Sequence, residues 1–125
     1  MTTIAQVHWD KAVGSLASAR ALLDVHPDSA ASRAYYAAFH AVSAYFALGG
    51  ESFEKHAQIR AALYRDLVNT GTWPKEFDRL MQTREIGDYD NLDQVDKTRV
   101  LVVVEAAARS LEKVRASHPD TFGAP

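Results

Sequence analysis

Residues 28–50, DSAASRAYYAAFHAVSAYFALGG, decide the fold. Apolar side chains occupy nearly every position between Ala30 and Leu48, so this helix has no polar face to give to water. Such a segment belongs at the centre of a helical bundle. Its alanines (Ala34, Ala37, Ala38, Ala41, Ala44 and Ala47) let neighbouring backbones come close. Its rings (Tyr35, Tyr36, Phe39, Tyr45 and Phe46) fill the remaining volume. Asp28 or Ser29 is the expected N-cap. Gly49-Gly50 closes the helix, because glycine tolerates the left-handed turn that ends one. The longest nearly apolar run, residues 34–48, carries His40 and Ser43 and is short for a membrane span, so it reads as a buried helix.

Outward from this helix the pattern stays helical, with no sustained two-residue alternation. Trp9, Ala12, Val13, Leu16, Ala19 and Leu23 make one stripe of a first helix over residues 5–24, stopped near Pro27. After a polar link, residues 56–69 form a third helix with Ile59, Ala62, Leu63 and Leu67 inward, ending at Gly71. Trp73-Pro74 opens a fourth, Pro74 suiting the first helical position. Residues 94–116 form the fifth, with Val100, Leu101, Val104, Ala107, Ala108, Leu111 and Val114 inward. The reading is an all-α, up-and-down bundle of about five helices over residues 1–117, followed by a flexible, frayed tail over 118–125.

Composition narrows the function. The chain has 125 residues, 47% of them hydrophobic, and a net charge of −2, which speaks for one globular domain and against a protein that coats nucleic acid through a broad basic excess. With no cysteine, disulfides, thiol catalysis and Cys-ligated metals are excluded. No signal peptide is evident at the N-terminus, so the expected location is the cytoplasm, without membrane association. The five histidines, His8, His26, His40, His56 and His118, are scattered, and none pairs with another on one helix face, so no metal site is expected. No phosphate-binding glycine loop and no nucleophile elbow occur, and no cofactor is expected.

Arg84 is the most informative residue. The fourth-helix stripe runs Phe77, Leu80, Met81 and then reaches Arg84 and Asp88. A guanidinium in an apolar stripe needs a partner. One reading is structural: a salt bridge to Asp88, four residues on, in the weaker orientation and against the helix dipole. The other is functional: an inward cation held for an external anion. If Gly87 ends the helix, Asp88 and Tyr89 lie on the following loop and the stripe holds Arg84 alone. On the second helix, Tyr36 and His40 share a face with Tyr35 and Phe39 nearby; they are either satisfied core polar groups or groups that orient Arg84. Lys55, Arg60, Arg65, Lys75 and Arg79 add cations on or near helices three and four, either as solvated surface or along a phosphate path.

Several elements together resemble the HEPN domain family. These are Trp9 with Ala12, the string Ser32-Arg33-Ala34-Tyr35-Tyr36-Ala37-Ala38-Phe39-His40-Ala41, His56 after a short link, and Arg84-Glu85-Ile86-Gly87-Asp88-Tyr89. The closing helix, with Glu105-Ala106-Ala107, fits as well, and the resemblance extends from Trp9 to Val114. It implies a homodimer that joins two Arg-bearing motifs across a cleft. It also implies an RNA substrate, metal-independent endoribonuclease activity, and a toxin-type role beside a small nucleotidyltransferase antitoxin. The resemblance makes Arg84, Asp88 and Tyr89 the candidate catalytic set, supported by Tyr36, His40, His56 and Arg33.

The family's ribonucleases follow the Arg with a His; here Tyr89, Asp90 and Asn91 occupy that window. The chain therefore resembles a branch in which Asp-Tyr follows the Arg. Arg84 suits the charge that grows on phosphorus. Proton transfer wants a group titrating near neutrality, which neither Asp88 nor Tyr89 ordinarily supplies. Either His40 or His56 takes that task, or the chain is a non-catalytic interaction or nucleotide-binding module for a nucleotidyltransferase. In some toxins of the family the partner adds AMP to a Tyr near the motif, for which Tyr89 is the nearest counterpart.

Overall fold

A computed structural model describes residues 3–67, 73–89 and 96–123. It contains five helices: α1 (Ile4–Leu22), α2 (Pro27–Leu48), α3 (His56–Leu67), α4 (Trp73–Tyr89) and α5 (Lys97–Ser117). No strand occurs among the described residues. The chain is an all-α bundle, as its periodicity predicts. No helix among the described residues is long and apolar enough to cross a membrane.

Helix α2 is the hub and packs against each of the other four. Ala34, Ala37, Ala38, Ala41 and Ala44 are buried, as are Tyr35 and Phe46. Ala47 sits at the core's edge with Tyr36, Phe39 and Tyr45. Helices α1 and α5 also meet, α4 touches both α3 and α5, and α3 leans on α2. Ala5, Trp9, Ala12, Leu16 and Ala19 form the buried face of α1. Ile59, Ala62 and Leu63 do so for α3. Gly50 takes φ 84° after the last turn of α2, while its N–H and that of Gly49 bond back to Ala47 and Phe46 carbonyls. A side chain there would be strained in that left-handed backbone.

Several boundaries differ from the sequence reading. Pro27, expected in the link that stops the first helix ahead of a start near Ala30, is the first residue of α2, where its missing N–H costs nothing. His26 takes the cap position without a side-chain hydrogen bond, and Asp28 sits in the first turn rather than capping it. The carboxylate there favours the positive helix end. Thr3 caps α1 by accepting from the Gln6 N–H. Asp96 caps α5 by accepting from the Arg99 N–H at 2.8 Å, which starts that helix at Lys97 rather than residue 94.

Leu101, expected inward, is 43% exposed; Val103 and Ala106 are buried in its stead. The stripe of α5 therefore runs Val100, Val103, Val104, Ala107, Leu111 and Val114, one step round from the expected face. Gly87 does not end α4, which continues through Asp88 to Tyr89.

Residues past α5 were expected to fray, but Phe122 is buried and packs its ring 4.9 Å from that of Trp9. Backbone N–H groups of Thr121 and Phe122 both bond to the His118 carbonyl, a turn that returns the chain to the bundle. The large apolar area of a phenyl ring overcomes the entropy of holding the segment.

Candidate functional site

Arg84 lies on the flank of its helix's buried face. The centre of that face is Phe77, Leu80 and Thr83, all fully buried, the last satisfied by donating from Oγ1 to the Arg79 carbonyl at 2.8 Å. Met81 and Arg84 run alongside, half-buried. A guanidinium there is partly shielded by the bundle and still reaches its surface.

The central helix supplies what holds it. Nη2 of Arg84 donates to the Tyr36 hydroxyl at 3.3 Å. Its guanidinium carbon stands 5.2 Å from the Tyr36 ring centroid and 5.3 Å from that of Tyr35. The two rings meet edge-on at 67°. Each ring face offers negative quadrupole density to the cation, an attraction of about 0.5–2 kcal/mol depending on desolvation. Contact with two rings restricts the guanidinium before any anion arrives. Burial pushes the Tyr35 phenol above its ordinary range, with the Arg84 charge opposing, so this ring stays protonated.

One turn along α2, His40 continues the same face, its ring 6.4 Å from that of Tyr36. His8 of α1 reaches it: the two Nδ1 atoms are 3.1 Å apart and the ring centroids 5.3 Å. Burial is the main reason that both imidazoles titrate below their ordinary value. For His40, His8 and Lys11 add to burial and bring the value to about 4. For His8, Lys11 is the second cause. Both rings are neutral at pH 7.

The structure thus brings together Arg84, Tyr36 and His40 from the sequence-based set. Arg33 is exposed on α2. His56 opens α3, and Asp88 and Tyr89 close α4. The side chains of these last three lie outside the described residues, and with them the Arg84–Asp88 ion pair. Of the cations on α3 and α4, Arg60 is committed to Asp78 through 2.6 Å and 3.2 Å bonds, with Tyr64 donating to the same carboxylate. Arg65 pairs with Glu51. Lys55, Lys75 and Arg79 are exposed.

His8 is the residue that the sequence reading missed. It stands one position before Trp9 at the edge of the α1 stripe, and a helix-by-helix search for paired histidines cannot find a pair made between helices. Among the described residues no group of three or more His, Asp or Glu side chains converges as a metal cage would require. The His8–His40 pair offers two nitrogens.

The family model of the HEPN domain matches residues 5–117. The chain belongs to the HEPN domain family. The match spans all five helices of this HEPN chain. A curated relative, the UPF0332 protein of Thermotoga maritima, is 36% identical over 90 residues, covering 69% of this chain and 68% of that protein.

Proposed function

We propose that this HEPN chain acts in the cytoplasm as a homodimer whose Arg84 cleft holds an RNA phosphate. Its role on this reading is that of a toxin-type or accessory component paired with a small nucleotidyltransferase. The observation that carries it is the seating of Arg84: a half-buried guanidinium laid against two tyrosine rings, with one nitrogen on a hydroxyl. A planar guanidinium carries its N–H donors in the fork arrangement that phosphate oxygens accept. Net charge −2 makes a local contact of this kind a better account of RNA binding than a broad basic surface. Family membership supports the same reading.

Incubating the purified protein with mixed RNA in metal-free buffer, beside Arg84→Ala, tests it. Cleavage or retention of RNA by the wild type and its loss in the variant support the reading. Equal behaviour of the two proteins removes Arg84 from it, and absence of both binding and cleavage removes RNA. Sedimentation of the wild type checks the dimer.

A second reading is a non-catalytic module that holds a nucleotide or a nucleotidyltransferase. It is favoured by the absence of any histidine between Arg84 and His118. Co-purification with a nucleotidyltransferase encoded beside it, and calorimetry with nucleotides, separate it from the first.

A further inference from the structure

A hydrogen bond between two neutral imidazoles has a consequence for their far nitrogens. The ring that donates carries its proton on Nδ1, which leaves its Nε2 bare. The ring that accepts at Nδ1 must carry its proton on Nε2. The 3.1 Å approach of His8 and His40 through their Nδ1 atoms is such a contact. Between them the two Nε2 atoms therefore present one proton acceptor and one proton donor, with no net charge.

The pair's position gives this a use. His40 is one helical turn from Tyr36, whose hydroxyl is Arg84's partner. A phosphate held at Arg84 would lie along the face of α2 that carries Tyr36 and His40, with His8 of α1 against His40, and the pair holds both kinds of group that transesterification needs.

We propose that His8 and His40 together form the acid–base element of the Arg84 site, acting on the 2′-hydroxyl and the departing 5′ oxygen of an RNA strand. This rests on the reading that Arg84 holds an RNA phosphate. The 2′-hydroxyl gives its proton to the bare Nε2, and the freed oxygen pair forms the new bond to phosphorus. The proton shared between the rings crosses from one Nδ1 to the other. The second ring gives its Nε2 proton to the 5′ oxygen as the P–O5′ bond breaks with its electron pair. The products are a 2′,3′-cyclic phosphate and a 5′-hydroxyl. No proton is gained or lost, and the two rings finish with their tautomers exchanged. Either starting arrangement serves, because each offers one acceptor and one donor.

Nitrogen NMR of the imidazoles in the full chain, with single-stranded RNA and its uncleavable 2′-deoxy analogue, tests this. The free protein should show a scalar coupling between the two Nδ1 atoms, and the deoxy analogue should move the Nε2 signals of both rings. His8→Gln and His40→Gln should each lower RNA cleavage by about 100-fold while the analogue's affinity holds. Arg84→Ala should lower that affinity itself. Binding of the analogue with unmoved imidazole signals, or cleavage unaffected by both His variants, overturns the pair and leaves the Arg84 reading standing. Binding without cleavage by the wild type does the same. If neither RNA nor analogue binds, the Arg84 reading falls and the pair falls with it.

Discussion

Arg84 and Tyr36 are bound to each other twice: Nη2 donates to the hydroxyl at 3.3 Å, and the guanidinium carbon stands 5.2 Å from the ring. The residues are 48 positions apart, so the contact ties α4 to α2 at the bundle's surface. One side chain thereby does two things. It closes the flank of the core, through its stem and its ring contacts, and it keeps its planar end at the border with water.

Arg84→Lys should separate these roles. Lysine keeps the charge but lacks the fork and the ring-matched plane. On the proposal that Arg84 holds an RNA phosphate, loss of one charge-assisted contact, about 1.5–3 kcal/mol, predicts RNA affinity weakened by about 10- to 100-fold. Tyr36→Phe keeps the ring and removes the acceptor, so it should cost less than Arg84→Lys. Fluorescence anisotropy with a labelled oligonucleotide measures both, and a smaller loss in Arg84→Lys than in Tyr36→Phe would contradict the assigned roles.

The His8–His40 pair predicts acid sensitivity. In the unfolded chain each imidazole takes up a proton near pH 6.5. In the folded chain His40 does so only at about 4, and His8 is also lowered. Between those values the unfolded state binds more protons than the folded one, so stability must fall as pH falls through the window. It is fully present above pH 6.5. Burial sets most of this, and His8 and Lys11 on α1 add to it at His40 beside Tyr36 of α2. Urea midpoints from pH 7 to pH 4.5 should drop in the wild type and drop less in His8→Gln or His40→Gln. Equal slopes in all three would mean that the pair carries no proton linkage.

The fold was legible because it rests on burial periodicity. Residues 30–48 are apolar almost all round, and such a helix has one stable place, among the others. Where the reading slipped, two signals competed at one residue. Pro27 both stops α1 and starts α2, and only the turn at Leu22–His26, where the Val25 and His26 N–H groups bond back to the Leu22 carbonyl, fixes which side it joins. Leu101 and Val103 satisfy overlapping helical stripes, and the choice between them depends on which neighbour α5 meets. The candidate site was half legible. Arg84, Tyr36 and His40 stand out from their own helices. His8 does not, because its partner is 32 residues away and the approach of α1 to α2 brings them together. The same limit applies to Phe122, which reads as tail until Trp9 is placed.

Ser43 should be better replaced. It is 5% exposed in the middle of α2, and its Oγ has no hydrogen-bond partner among the described residues. A buried hydroxyl without a partner costs stability, and serine is a poorer helix former than alanine. Ser43→Ala should stabilise the chain by about 1 kcal/mol, seen as a melting temperature raised by about 4 °C. A lowered melting temperature would show that the hydroxyl is satisfied and structural.

Phe122 tests whether the segment after α5 belongs to the core. It is 1% exposed, 4.9 Å ring to ring from Trp9, and its ring also meets His118 edge-on at 6.3 Å. His118 in turn faces Tyr45 of α2 at 5.9 Å. The terminal turn therefore seals the outer side of the α1–α2 contact, beneath which Trp9 is 2% exposed. Phe122→Ala should cost about 3 kcal/mol, the low end for a buried phenyl. In a Trp73→Phe background only Trp9 emits, and its fluorescence should shift to the red as water reaches it. Truncation after His118 should reproduce both effects, since it removes the same ring. A truncated chain with unchanged stability and an unshifted Trp9 emission would mean that the bundle covers that indole without help from the C-terminal turn.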